Sequence, residues 1–227
     1  TDVDTDTDTD TDTDTEVLNP GQDRALRVSS RPVIDGSLSE AVWQLNTSVE
    51  KTVSGNPNNT ITFDTLWDDQ NLYIAVQVMD SNVCVGSDTS SWWYDSVEIY
   101  IDPDRSKSSE YDDMDAQIVF KYTDEDWISC GDSTQNCDRI GSGYEMAGQT
   151  ISGGYVIEVA LGWTGFGITP SAGMWIGFDI GVNDDDEPCT NGGSETRDGE
   201  KRWWGADTNY QNTSAFGELL LSSTSTK

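Results

Sequence analysis

The stretch Trp92-Trp93-Tyr94-Asp95-Ser96-Val97-Glu98-Ile99-Tyr100-Ile101-Asp102-Pro103 decides the fold. Within it Val97, Ile99 and Ile101 alternate with Glu98, Tyr100 and Asp102. Successive side chains of an extended strand point to opposite faces, so this pattern describes a strand with one buried side. The same period of two recurs along the chain. Ile61, Phe63, Thr65 and Trp67 alternate with Thr62, Asp64 and Leu66, and Leu72, Ile74, Val76 and Val78 with Tyr73, Ala75 and Gln77. Ile118, Phe120 and Tyr122 follow, then Tyr155, Ile157, Val159 and Leu161, then Ile176, Phe178, Ile180 and Val182, and finally Leu219 and Leu221.

Turn signals such as Asp35-Gly36 and Asn56-Pro57 separate these runs. Ser37-Leu38-Ser39-Glu40 reads as a capping box, which predicts a short helix through Ala41-Val42-Trp43. The sum is an all-β protein: an antiparallel β-sandwich of immunoglobulin-like or jelly-roll type with about ten strands. It is expected to occupy residues 23–227, with Val97, Ile99, Ile101, Phe178 and Ile180 in its core. Residues 1–22 form a linker whose first sixteen positions are a Thr-Asp repeat too charged to bury apolar surface.

The chain has 227 residues, 42 acidic against 12 basic, and a formal charge of −30. That balance repels phosphate backbones and anionic membranes, which argues against nucleic-acid or membrane partners. Neutral sugars and divalent cations suit it better. Histidine is absent, which excludes the Ser-His and Cys-His pairings and the usual zinc and haem ligand. Because the chain opens on Thr1 without a leader or an apolar membrane-length run, it is expected to be a mature piece of a larger secreted protein.

Four cysteines, Cys84, Cys130, Cys137 and Cys189, form no CxxC pair. An even count in such a chain predicts two disulfides formed in an oxidising compartment. A bridge from Cys130 to Cys137 would staple a polar loop and leave Cys84 for Cys189, although four cysteines allow three connectivities.

Four blocks, in order, carry a family resemblance. Pro32-Val33-Ile34-Asp35-Gly36 with Glu40 and Trp43 is the first; Trp67-Asp68-Asp69, Leu72-Tyr73-Ile74-Ala75-Val76 and Asp80 form the second. The stretch from Trp92 to Pro103 is the third. The fourth runs from Ile176 to Asp186 and is followed by Trp203-Trp204 and Phe216-Gly217-Glu218-Leu219. Over about Leu26 to Leu221 the chain resembles the family 9 carbohydrate-binding modules, sugar-binding sandwiches appended to xylanases and other polysaccharidases.

The resemblance implies a calcium-bearing sandwich, without catalysis, whose sugar slot lies between two tryptophans. One comes from Trp92 or Trp93 and the other from Trp203 or Trp204, with alternation sending the second member of each doublet to the opposite face. An indole stacks on the apolar face of a pyranose, while the rim hydroxyls need donors and acceptors. Glu98 matches the family position for a hydroxyl acceptor. Val119 and Lys121 stand where family members often present an arginine and an asparagine. Gln117, Lys121, Asn183 and Arg202 are the other polar candidates.

Calcium prefers six to eight oxygen ligands, several of them carboxylates. Asp102 with Asp104, Asp113 in its acidic loop, and Asp184 with Asp186 are the candidate ligands. None lies in an EF-hand register. Trp43, Trp127, Trp163 and Trp175 are assigned to structure. The expected partners are a polysaccharide or oligosaccharide and a covalently linked catalytic domain, with the module itself monomeric. Two rival functions remain: a calcium-dependent adhesion module, and a glycoside hydrolase using a carboxylate pair such as Glu98 and Glu158. A haem-binding sandwich fails for want of a histidine ligand.

Overall fold

In the computed structural model, residues 17–86, 91–130, 140–186 and 197–223 are described, with 124–130 described by backbone alone. Thirteen strands occur there: β1 (Gln22–Arg27), β2 (Thr47–Val49), β3 (Lys51–Gly55), β4 (Thr60–Trp67), β5 (Asn71–Met79), β6 (Ser96–Asp102), β7 (Ala116–Lys121), β8 (Asp124–Cys130), β9 (Tyr144–Ile151), β10 (Gly154–Gly162), β11 (Trp175–Asp184), β12 (Gly199–Arg202) and β13 (Gly217–Ser222). One short helix, α1 (Trp163–Phe166), follows β10. The alternating runs read from the sequence are the long strands β4 to β7, β10, β11 and β13. The count exceeds ten because β2, β3 and β12 are short edge pieces without a clear period.

The hydrogen-bonded path is β8-β7-β6-β11-β13-β1-β4-β5-β10-β9. It forms two half-sheets joined through β1, packed face to face as a sandwich: Phe63 of β4 meets Phe178 of β11 with ring centroids 6.1 Å apart. Val97, Ile99, Ile101, Phe178 and Ile180 are fully buried between them. The sandwich is not antiparallel throughout. β1 runs parallel to both β13 and β4. Its partners lie far along the chain, so no hairpin turn dictates its direction.

The segment between β1 and β2 closes the outer face of β4, β5 and β10. Trp43 packs there with Leu26, Leu66, Tyr73, Ala75 and Ala160, and Val28, Ile34 and Val42 pack around them. β5 is therefore buried on both faces. The helix expected at Ser37–Trp43 is absent; the segment is a series of turns. Glu40 accepts a hydrogen bond from the Val33 amide (3.2 Å) rather than capping a helix start. Trp43 is drawn down to donate its indole N–H to Glu158 (2.8 Å), whose other oxygen accepts the Asp35 and Gly36 amides. Three bonds to one buried carboxylate decide the local path against a weak helical preference.

Trp163 is buried and donates to the Asp68 carbonyl (2.9 Å), and Trp175 lies beside the Arg105 guanidinium. Cys84 is buried and disulfide-bonded. The side chains of Trp127 and Cys130, together with Cys137, Cys189 and the Thr-Asp repeat, lie outside the described residues.

Candidate functional site

The alternation that buries Val97 and Ile99 turns Glu98 and Tyr100 to the outer face of the first half-sheet. Neighbouring strands bring Gln117, Asp179, Asn183, Glu200 and Arg202 to that same face. Register places Gly181 between Glu98 and Arg202. A Cβ on Gly181 would sit 1.9 Å from Arg202 Nη1, so the missing side chain is what lets the guanidinium cross the strand. Arg202 reaches Glu98 Oε2 at 3.0 Å, meets Glu200 with its other nitrogen, and lies 4.3 Å over the Tyr100 ring.

Glu98 accepts further bonds from the Tyr100 hydroxyl, from Gln117 Nε2 (3.0 Å) and from Asn183 Nδ2 (2.7 Å). Burial pushes its carboxyl up, but the Arg202 charge and the bonds from Tyr100 and Asn183 outweigh that and bring it down to about 2. The acceptor is thus ionised and fixed. Arg197 ties the surround together. It pairs with Glu200 (2.7 Å) and donates to Asn183 Oδ1 (2.6 Å) and to the carbonyl of Trp92 (3.4 Å).

Over this floor opens a cleft of about 530 Å³. Glu98, Gln117 and Arg202 reach it from below, Arg197 and Asp207 join at its rim, and Trp92, Trp93 and Tyr210 supply aromatic surface. Its volume falls in the range usual for small-ligand sites. Trp92 and Trp93 both line it, against the expectation that one would turn away. They occupy a 3-10 turn, Ser91–Trp93, where successive residues do not alternate between faces.

The second doublet contributes no aromatic to the cleft. Trp203 donates its amide to Ile180 and packs into the core against Phe63 and Phe178. Trp204 lies over Gly21. The third aromatic is Tyr210, 52% exposed, at the end of a 3-10 turn whose Asn209 is bound by Asp179 (2.8 Å). Tyr210, Asp207 and Arg197 escaped the sequence reading; a lone aromatic in the polar loop before the last strand was the available signal. Lys121 is buried with its ammonium 3.3 Å from the Gly86 carbonyl and does not line the cleft. Asn183 lies beneath the floor and orients Glu98 and Arg197. Glu158 belongs to the other half-sheet, under Trp43, so Glu98 and Glu158 do not face each other across a cleft.

A second constellation flanks the tryptophan turn. Asp80, Asp95 and Asp184 are buried and each offers an oxygen within 4.8 Å of the others. Asp80 Oδ2, Asp95 Oδ1 and Asp184 Oδ1 find no hydrogen-bond donor. Burial and the neighbouring carboxylates push Asp95 up to about 10 and Asp184 up to about 6. Three buried carboxylates without a counter-charge suit a hard divalent cation. Of the expected ligands, Asp184 belongs to this group. Asp186 lies beside it and binds Asn58. Asp102 and Asp104 accept the backbone amides of the 106–107 turn, and Asp113 is exposed. Asp80 and Asp95 were not foreseen as ligands; they sit singly in the sequence, outside any acidic run.

The family described as "Carbohydrate family 9 binding domain-like" matches residues 34–224. An endo-1,4-beta-xylanase A of Thermoanaerobacterium saccharolyticum is 35% identical over 90% of this chain, and an exoglucanase XynX of Acetivibrio thermocellus is 35% identical over 90%. The chain spans only 16% and 18% of those proteins. Among solved structures, a family 9 carbohydrate-binding module of Caldicellulosiruptor kristjanssonii in complex with glucose aligns over 90% of this chain and 98% of its own, at 22% identity and TM-score 0.70. The cellotriose complex from the same organism aligns over 89% and 95%, at 21% identity and TM-score 0.68. These two likenesses establish the fold.

The cleft floor generates a pH signature. Burial first, then the charge of Glu98, pushes Glu200 from 4.5 up to about 7, against the pull of Arg202 and Arg197. The folded state therefore binds a proton that the unfolded chain has released, and stability falls as pH rises from about 4.5 to 7. Glu200→Gln should lose the share of this decline that Glu200 contributes, gaining on the parent as pH rises through that window. Urea unfolding at intervals from pH 4 to 8 checks it, and parallel curves for the two proteins would refute it.

Proposed function

The chain belongs to the carbohydrate family 9 binding domain-like family, and on that premise we propose that it is a non-catalytic module that binds polysaccharide of the cellulose or xylan type in the Trp92–Tyr210 cleft. One observation carries the reading: exposed aromatic surface stands over a buried polar floor whose donors and acceptors are already oriented. Pyranose C–H faces stack on Trp92, Trp93 or Tyr210, while hydroxyls bond to Glu98, Gln117, Arg202, Arg197 and Asp207. The floor is held by its own ion pairs before ligand arrives, so little is lost in ordering it. The relatives are a xylanase and an exoglucanase many times longer, which supports a module that delivers a linked catalytic domain to its substrate, as a monomer outside the cell. Pairing of Cys130 with Cys137 and of Cys84 with Cys189 belongs to the same proposal.

Calcium is the second part of the reading. Asp80, Asp95 and Asp184 would hold it, and its charge would relieve their mutual repulsion. Asp95 follows Trp93 by two positions and accepts the Cys84 amide (2.6 Å), so a cation there would brace the aromatic turn. A calcium-dependent adhesion module shares this fold but gains no support from a cleft with an aromatic rim over a polar floor.

Trp92→Ala and Tyr210→Ala should each weaken binding of cello- or xylo-oligosaccharides about tenfold by isothermal titration, since 1.4 kcal/mol is one decade. Their melting temperatures should fall by no more than about 2–4 °C. Wild-type affinity in both variants would refute the cleft. Chelation with EDTA should lower the melting temperature by about 5–10 °C, and excess calcium should restore it. Asp95→Asn should abolish that response; an EDTA-insensitive parent would refute the cation.

A further inference from the structure

The exposed aromatics among the described residues are Trp93, Trp204 and Tyr210. Two of them line the cleft; Trp204 does not, and it takes no part in the core. Its backbone is nonetheless held firmly. The Trp204 amide donates to Asp179 Oδ1 (3.1 Å), and its carbonyl accepts from Lys51 Nζ (2.8 Å). The next residue, Gly205, is bound by the same two side chains. The indole lies against Gly21: a Cβ there would come within 2.5 Å of two ring carbons. Gly21 adopts φ 80°, which a side-chain-bearing residue rarely tolerates. One face of the ring is thus seated on bare backbone, and 43% of the residue remains open to solvent. A rigidly backed, half-exposed indole has the form of a stacking platform.

Position links this ring to the cleft. Arg202 faces the cleft floor, Trp203 turns into the core, and Trp204 returns to the side that Arg202 faces. Continuing the β11–β12 register places Trp204 opposite Asp179, next to the Arg202–Gly181 pair. Asp207, three residues on, lies at the cleft rim, and Tyr210 ends the same loop. Trp204 and the cleft rim thus lie on one face, joined by the short loop that leads to Tyr210.

We propose that Trp204 is a second stacking site, outside the cleft, for a pyranose unit of the same glycan chain beyond those that the cleft holds. This rests on the cleft being a sugar site. The ligand is a β-linked glucan or xylan long enough to cover both surfaces. A glucose or disaccharide is held by the cleft alone.

The test is isothermal titration of the full 227-residue chain and its Trp204→Ala and Trp204→Tyr variants with glucose, cellobiose, cellohexaose and xylohexaose. For Trp204→Ala, affinity for the short ligands should be unchanged and affinity for at least one hexasaccharide should fall about fivefold. Trp204→Tyr should retain most of the hexasaccharide affinity, and matching melting curves confirm that all three proteins are folded. Equal hexasaccharide affinity in parent and Trp204→Ala overturns the proposal, as does an equal loss for short and long ligands. A parent that binds none of these sugars overturns the cleft reading itself, a distinct result. A chain lacking residues 1–16 whose Trp204-dependent acrylamide quenching rises would assign the ring to the N-terminal segment instead, and a Trp204-dependent dimer in sedimentation would assign it to a second copy.

Discussion

A guanidinium with almost no access to water, crossing a glycine to reach a carboxylate, organises this molecule's outer face. Removing Arg202 and Glu98 from solvent costs several kcal/mol per ion unless each is surrounded by partners. Arg202 has Glu98, Glu200 and the Tyr100 ring; Glu98 has Arg202, Tyr100, Gln117 and Asn183. Glu98, Tyr100, Gln117 and Asn183 come from β6, β7 and β11, strands whose other face is core. The same register that fills the sandwich with Val97, Ile99, Phe178 and Ile180 therefore fixes the polar floor, and neither can slip without the other. Gly181 is the condition for both. Any side chain there would collide with Arg202.

Binding follows from that rigidity. The floor is a set of donors and acceptors with their charges already neutralised internally, and Asp179 holds the loop that carries Tyr210 through Asn209 and the amides of Trp204 and Gly205. At the other end, Arg197 holds the Trp92 carbonyl, and the Asp80–Asp95–Asp184 group lies behind the same turn. The aromatic surface is thus anchored from both sides. A proposed calcium ion at the carboxylates would act through position alone, with no part in any reaction.

Much of the architecture was legible because period two is a strong constraint. Each strand that separates core from solvent writes its alternation into the sequence, and β4, β6, β10 and β11 do so plainly. β1 does not: its direction is set by partners beside it in space, which no local pattern encodes. The tryptophan doublets misled for a related reason. Alternation carries on just past the end of β12 and separates Trp203 from Trp204, but Trp92 and Trp93 sit on a 3-10 turn that presents both. Tyr210 and Arg197 lie in loops, where position depends on Asp179 and Asn183 of a strand distant in sequence. The carboxylate group was half visible. Asp184 stands in an acidic run, whereas Asp80 and Asp95 are single residues that converge only when β5, β6 and β11 are assembled.

The central claim is that one cleft holds sugar by stacking on Trp92, Trp93 or Tyr210 while its hydroxyls are read by Glu98 and Arg202. A crystal structure of the chain with cellotriose measures this directly. The expected result is a pyranose ring against at least one of the three aromatics, with hydroxyl oxygens about 2.6–3.1 Å from Glu98, Gln117 or Arg202. A sugar bound on another face, or a cleft that stays empty of sugar at saturating cellotriose, would contradict it.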